Sequence, residues 1–195
     1  MKFLTKIPDS QIRVDDLTYQ KGVSNSELRL RLLDEQKNFC AYTEKYIEPG
    51  IDTSEVEHFN PSLKYNDDYF NYYTTLRSAN ERKIRKYKEY QNALFFATRF
   101  FQNNEDFKTR IRYEDFVYEP ITEEDQDAKD LIDYLGFNDD YLFTARINHI
   151  KRLQETIGSF SLQEKIEYFT RNKSDLSYIT AIEKELDINL SEIIN

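Results

Sequence analysis

The sequence predicts an α+β fold that is mostly helical, with a small ββα element embedded in a helical domain. Apolar residues recur at helical spacing over most of the chain, but the period disappears from Cys40 to Asn71, where short stretches read as strands. On either side of that gap a serine followed three residues later by a glutamate marks the opening of a helix: Ser24 with Glu27, and Ser78 with Glu81.

Taken in order, residues 24–39 form the first expected helix, with Leu28, Leu32 and Leu33 on one face and an end near Phe39. Pro49-Gly50 marks a turn, and residues 51–53 and 56–58 are expected to pair as strands. From Ser78 a helix is expected to run on to residue 101. Beyond Gln102 one extended, aromatic piece, RIRYEDFVYEP, ends at Pro120. Residues 123–135, 138–157, 161–171 and 174–186 read as amphipathic helices, with Asn138 and Ser161 as N-caps. No fixed repeat and no Gly/Ser-rich or Pro-rich linker is present, so residues 1–195 are expected to form a single compact unit.

Composition sets outer limits on function. With 15 Tyr and 14 Phe in 195 residues, the chain has too much ring surface for a disordered protein and enough for a sizeable core. No apolar run approaches the ~18 residues of a membrane span, and the opening MKFLTKIPDS has no long apolar stretch, so a soluble, cytoplasmic protein without membrane association is expected. The single cysteine, Cys40, cannot make an internal disulfide, which agrees with a reducing compartment. A net charge of −9 argues at face value against nucleic acid, because phosphate binding needs local positive charge. The charge is unevenly spread, however. Residues 75–90 hold six Lys/Arg against two Glu, net +4, whereas residues 103–140 hold thirteen Asp/Glu against four Lys/Arg, net −9.

Chemistry concentrates in VEHFNPSLKYNDDYFNYYTTLRSANERK, residues 56–83. Glu57 directly precedes His58, Pro61 follows, Asn71 lies thirteen positions after His58 and Asn80 twenty-two after it, in the first turn of the expected helix. That order of strand, loop, short strand and helix resembles the HNH nuclease motif. Neighbouring side chains diverge on a regular strand, so Glu57 and His58 can address one phosphate only where strand gives way to loop. A Glu57 carboxylate oxygen and an Asn80 amide oxygen are hard donors suited to one Mg²⁺ or Mn²⁺ per site. His58 would take a proton from water as general base, and Asn71 would hold the loop and orient the imidazole. The basic run 82–88 is by default a solvated helix face; beside the site, Arg77, Arg82, Lys83 and Lys86 are the candidate phosphate contacts. His149, in ARINHIKRL, reads as a packing or surface histidine, and the Phe/Tyr clusters 69–73 and 95–101 read as core.

Over residues 1–155 the chain resembles one bacterial HNH family, the nuclease that accompanies an ATPase in Septu-type and retron-linked antiphage defence. The resemblance rests on MKFLTKIP, LRLRLLDEQKNFCAYTEKYI, VEHFNPS, FNYYTTLRSANERK and LIDYLGFNDDYLFTARINHI. It implies a ββα-metal (HNH) element at about 40–90, a helical C-terminal part at about 91–195, metal-dependent cleavage of DNA to 5′-phosphate and 3′-hydroxyl ends, and an ATPase partner as sensor; the acidic balance fits a partner that delivers the DNA. Members of that family carry two Cys pairs that bind a structural Zn²⁺. The matching positions here are Cys40 and Thr43, then Leu76 and Ala79, so three of the four ligands are missing and structural zinc is not expected. Two other readings stay open: a non-catalytic HNH-fold interaction module, and a ribonuclease or toxin, since nothing in the sequence reads the 2′-hydroxyl. The purified protein is expected to contain no stoichiometric zinc; elemental analysis that finds one tightly bound zinc per chain overturns this.

Overall fold

A computed structural model describes every residue except Pro49, Tyr65 and Asn195, so the first half of the expected Pro49-Gly50 turn lies outside the described residues. The chain is α+β and mostly helical, with two small antiparallel sheets among the described residues. The short helix α1 (Gln11–Val14) and α2 (Ser26–Glu35) come first. Then β1 (Ser54–His58) pairs with β2 (Tyr72–Leu76), and α3 (Arg77–Tyr90) follows β2 directly. Next are α4 (Phe95–Thr98), α5 (Asn104–Arg110) and the hairpin of β3 (Ile111–Glu114) with β4 (Val117–Pro120). The remainder is helical: α6 (Gln126–Leu135), α7 (Asp140–Ile157), α8 (Leu162–Arg171), α9 (Ile179–Glu185) and α10 (Ser191–Ile194). Among the described residues no helix is long and apolar enough to cross a membrane.

Two-residue alternation gives the first sheet two different faces. Val56 and Tyr72 pack with Ile12, Leu28, Leu32 and Tyr69 in a small cluster under α1 and α2. Tyr73, on the other face, belongs to the main core, whose members run from Met1 to Leu190. The sheet therefore separates α2 from α3. Lys6 adds a support under β2: its buried ammonium donates to the Tyr72 carbonyl between the rings of Tyr69 and Tyr73, 4.3 and 4.0 Å from their centroids.

Several expectations need correction. Residues 51–53 form no strand; β1 pairs instead with residues 72–76, in the register Ser54 to Leu76 and His58 to Tyr72. Asn25, and not Ser24, stands at the N-cap of α2. Ser78 does not cap α3, because β2 extends to Leu76 and the first free helix N–H, that of Arg77, donates to the Thr53 carbonyl at 3.5 Å. This helix ends at Tyr90 and not near residue 101, since Phe95, Phe96, Phe100 and Phe101 must all turn into the core and Arg99 takes a left-handed backbone to let them. Asn138 does not cap α7; its amide pairs with both backbone groups of Tyr118, at 2.8 and 2.7 Å, and Asp139 takes the cap position. Residues 174–186 divide into a short 3-10 turn and α9. Ser161 does cap α8, in a full capping box with Glu164.

The extended aromatic piece is a hairpin with a two-residue turn at Asp115 and Phe116, both at positive φ (47° and 66°). Type I′ geometry suits the strand twist but normally selects Asn or Gly. Here a buried guanidinium holds it: Arg146 donates to the Phe116 carbonyl at 2.7 and 3.2 Å and to the Phe137 carbonyl at 2.9 Å. Arg146→Ala would strand the buried Phe137 carbonyl and leave the half-buried Phe116 carbonyl of the turn without its donors. It is expected to cost about 3 kcal/mol in unfolding free energy, read from the urea midpoint.

Candidate active site

His58 is the last residue of β1, and the loop after it returns to the same place at Asn71. The Phe59 N–H donates to the Asn71 carbonyl at 2.8 Å, while the Asn71 side chain accepts from the Asn60 N–H at 2.8 Å and donates to the Asn60 carbonyl at 3.1 Å. The amide of Asn71 thus acts as one more rung beyond the ladder. Its Nδ2 also donates to Asp67 Oδ2 at 2.7 Å, and that same oxygen lies 2.5 Å from His58 Nδ1. With Asp67 as acceptor, Nδ1 carries the hydrogen, and in the neutral imidazole that leaves the lone pair on Nε2. Asn71 therefore holds the loop directly and reaches the imidazole through Asp67. Asp67 was not singled out in the sequence, because a nine-residue step across an irregular loop has no periodic signature.

His58 Nε2 is buried and has no hydrogen-bond partner among the described residues. Leaving such an atom unpaired costs about 1–3 kcal/mol, a cost it shares with Thr75 Oγ1, Tyr113 Oη and Asp127 Oδ1, so its place at the strand end and not the missing partner alone is what singles it out. Its neighbours are rings: Tyr19 edge-on at 4.6 Å between centroids, and Tyr72 at 5.6 Å.

Glu57 points the other way. Because β1 keeps its alternation to the end, Glu55 and Glu57 share the face covered by α3 while His58 lies on the face toward α2. Glu57 is 2% exposed; the Tyr42 hydroxyl donates to one carboxylate oxygen and the Lys83 ammonium is in contact with the other. Burial pulls the Lys83 amine well below its usual range. Lys83 also donates to the His58 carbonyl at 2.6 Å, and the Tyr134 hydroxyl holds the next carbonyl, that of Phe59, at 3.1 Å. Asn80, one turn earlier on α3, donates from Nδ2 to Glu55 at 2.8 Å, and its Oδ1 is buried without a partner. The structure thus joins Asn80 to Glu55, and Glu57 to Lys83. Strand alternation from Glu57 is the signal that would have found Glu55.

The expected phosphate contacts are dispersed. Lys83 is 1% exposed and does not face solvent. Arg82 pairs with Asp139 at 2.8 Å, and Lys86 with Asp133 at 2.7 Å and Asp139 at 3.7 Å. Arg77 is exposed, with a long contact to Glu55 at 3.4 Å. His149 is a packing residue, its Nε2 held at 3.0 Å by the Asp175 carbonyl. Of the positions that match the zinc ligands, Cys40 Sγ accepts from the Leu76 N–H at 3.4 Å, and Leu76 and Ala79 pack on the main core.

Among the described residues no group of three or more His, Cys, Asp or Glu side chains is arranged to hold a metal. The hard donors nearest to such a site are Glu55, Glu57 and the unpaired Asn80 Oδ1, all between β1 and α3. They fit Mg²⁺ or Mn²⁺ in donor type, with Glu57 available once Lys83 gives up one oxygen. No protein-family model, no curated protein and no solved structure matches this chain.

The buried pair gives a direct test. Lys83→Met leaves the Glu57 carboxylate buried without its cation and is expected to cost about 3–5 kcal/mol in unfolding free energy. Adding Glu57→Gln should restore most of that stability, because it removes the stranded charge. A Lys83→Met protein as stable as wild type would mean that the pair does not hold β1 to α3.

Proposed function

We propose that this chain is a metal-dependent endonuclease of the HNH type that cleaves DNA phosphodiester bonds, and that it serves as the effector of an antiphage system with an ATPase partner. The observation that carries the reading is His58 itself. It sits at the strand end of a ββα unit, its tautomer is set by Asp67, and its Nε2 makes no hydrogen bond within the protein. A structural histidine spends both ring nitrogens on the fold, as His149 does with the Asp175 carbonyl at Nε2 and Arg152 at Nδ1; a general base keeps one for water.

In this reading His58 Nε2 takes the proton from the attacking water, and Asp67 steadies the imidazolium that forms, through the hydrogen bond at Nδ1. Asn71 keeps Asp67 and the strand end in register, so its part is positional. A divalent ion held by Asn80 with Glu57 or Glu55 would lie on the α3 side of β1, opposite the His58 ring, so it would supply charge to the phosphate that His58 addresses only once the end of the strand opens there. Net charge and the pairing of Arg82 and Lys86 with Asp133 and Asp139 leave the chain a weak DNA binder by itself, which supports a partner that delivers the substrate.

The test is cleavage of plasmid DNA and of RNA against Mg²⁺ or Mn²⁺ concentration. His58→Ala is expected to lose about 10²- to 10⁴-fold in rate, and added metal should not restore it. Asn80→Ala should weaken the response to metal and Glu57→Ala should weaken it more, since a carboxylate holds a dication more strongly than an amide does. Both defects should shrink as metal is raised. Cleavage of RNA alone would redirect the assignment to a ribonuclease. A wild-type protein that cuts neither would favour the interaction module, for which the full engagement of Glu57 by Tyr42 and Lys83 is the supporting contact.

A further inference from the structure

The imidazole that would act as base is closed off. The side chain of His58 is 8% exposed, and the ring of Tyr19 stands edge-on against it. Tyr19 belongs to residues 15–25, a stretch between α1 and α2 without helix or strand. This stretch is fastened at its two feet, and between them Leu17 and Tyr19 pack on the small cluster under α1 and α2. Asp15 pairs with Arg31 on α2 at 2.6 Å, and the Asn25 side chain closes the other end, accepting from the Gln20 N–H at 2.8 Å and donating to the carbonyls of Gln20 at 2.9 Å and Val23 at 3.1 Å. Between them the Tyr19 N–H makes a long hydrogen bond, 3.3 Å, to the Tyr72 hydroxyl, while Thr18 and residues 20–23 are exposed.

We infer that residues 15–25 form a strap that holds the His58 base shut, and that cleavage requires the strap to lift; the inference rests on the nuclease reading above and adds its regulation. Two features support it. Water cannot be deprotonated by an Nε2 that it does not reach, so the closed arrangement is silent. The Tyr72 hydroxyl that accepts from the strap also donates to the Asp67 carbonyl at 2.9 Å, so the strap, the residue that orients His58 and the His58 ring meet at one tyrosine. A partner or a DNA strand that binds the open form better than the closed one would shift the population, and nothing else is required of the trigger.

His58 and His149 are the two histidines of the chain, which makes diethyl pyrocarbonate a selective reporter. An unprotonated imidazole nitrogen attacks one carbonyl of the reagent; the ring keeps a carbethoxy group, and the rest departs as ethanol and carbon dioxide. Peptide mass mapping of the full chain reads both rates. In Tyr19→Ala, His58 is expected to react at least about tenfold faster than in wild type, in line with a minor open state of 10% or less. His149 should be unchanged. Asn25→Ala, which unfastens one foot without touching the ring, should behave like Tyr19→Ala and carries the test if that variant fails to fold. Without any partner and with Mn²⁺, both opened variants should cut plasmid at least tenfold faster than wild type. A wild-type His58 that already reacts as fast as in Tyr19→Ala overturns the strap and leaves the nuclease reading standing. Opened variants that admit the reagent but cut no faster than an active wild type overturn the regulation. Opened variants and wild type that all fail to cut DNA or RNA overturn the nuclease reading beneath it.

Discussion

The Lys83 ammonium is the fixed point about which the site is arranged. A lysine brought out of water must be paired or lose its charge, and here one Nζ reaches Glu57, the His58 carbonyl and, more weakly at 3.4 Å, the Phe59 carbonyl. Those contacts tie the end of β1 to the second turn of α3. They hold the end of β1, where His58 sits, against α3. The arrangement has a cost in chemistry, because Lys83 is then not available to a phosphate and it competes with any dication for Glu57. Stability of the ββα unit and its readiness for metal pull on the same carboxylate.

Charge is organised on the same principle. The basic helix α3 does not present a uniform positive face, since Arg82 and Lys86 meet Asp139 and Asp133 from the loop before α7 and from α6. The excess acid of residues 103–140 is thus partly an internal counterweight that fastens the C-terminal helices to the ββα unit. Exposed basic residues remain at Arg77, Arg85 and Lys88. This local remnant, in a chain of net charge −9, is a modest electrostatic footprint.

What could be read in the sequence was what local chemistry decides. The capping box at Ser161 closes on itself within four residues, and the mostly helical class follows from periodicity over long stretches. Ser24, Ser78 and Asn138 misled because tertiary context set the helix starts: a strand running straight into α3 in one case, a strand edge needing the Asn138 amide in another. The β3–β4 turn was hidden by an Asp-Phe pair where a hairpin usually shows Asn or Gly, and the distant Arg146 supplies what the turn itself lacks. In the site, the spacing from His58 to Asn71 was legible. Asp67 was not, and neither was the burial of Lys83, which looks like any other member of a basic run until α3 is laid against β1.

The placement of His58 at the last position of β1 constrains how this chain can vary over descent. A single-residue insertion or deletion within 54–58 would exchange the two faces of the strand, sending the histidine under α3 and a glutamate toward α2, so length in that stretch is fixed by parity. The Asp67 and Asn71 side chains share one oxygen's neighbourhood across a four-residue step, which freezes that step as well. Among the described residues between Pro61 and Asp67 no strand parity applies, so length there is less tightly set than in β1. Homologous chains should therefore differ in the distance from the histidine to the aspartate while conserving the distance from the aspartate to the asparagine.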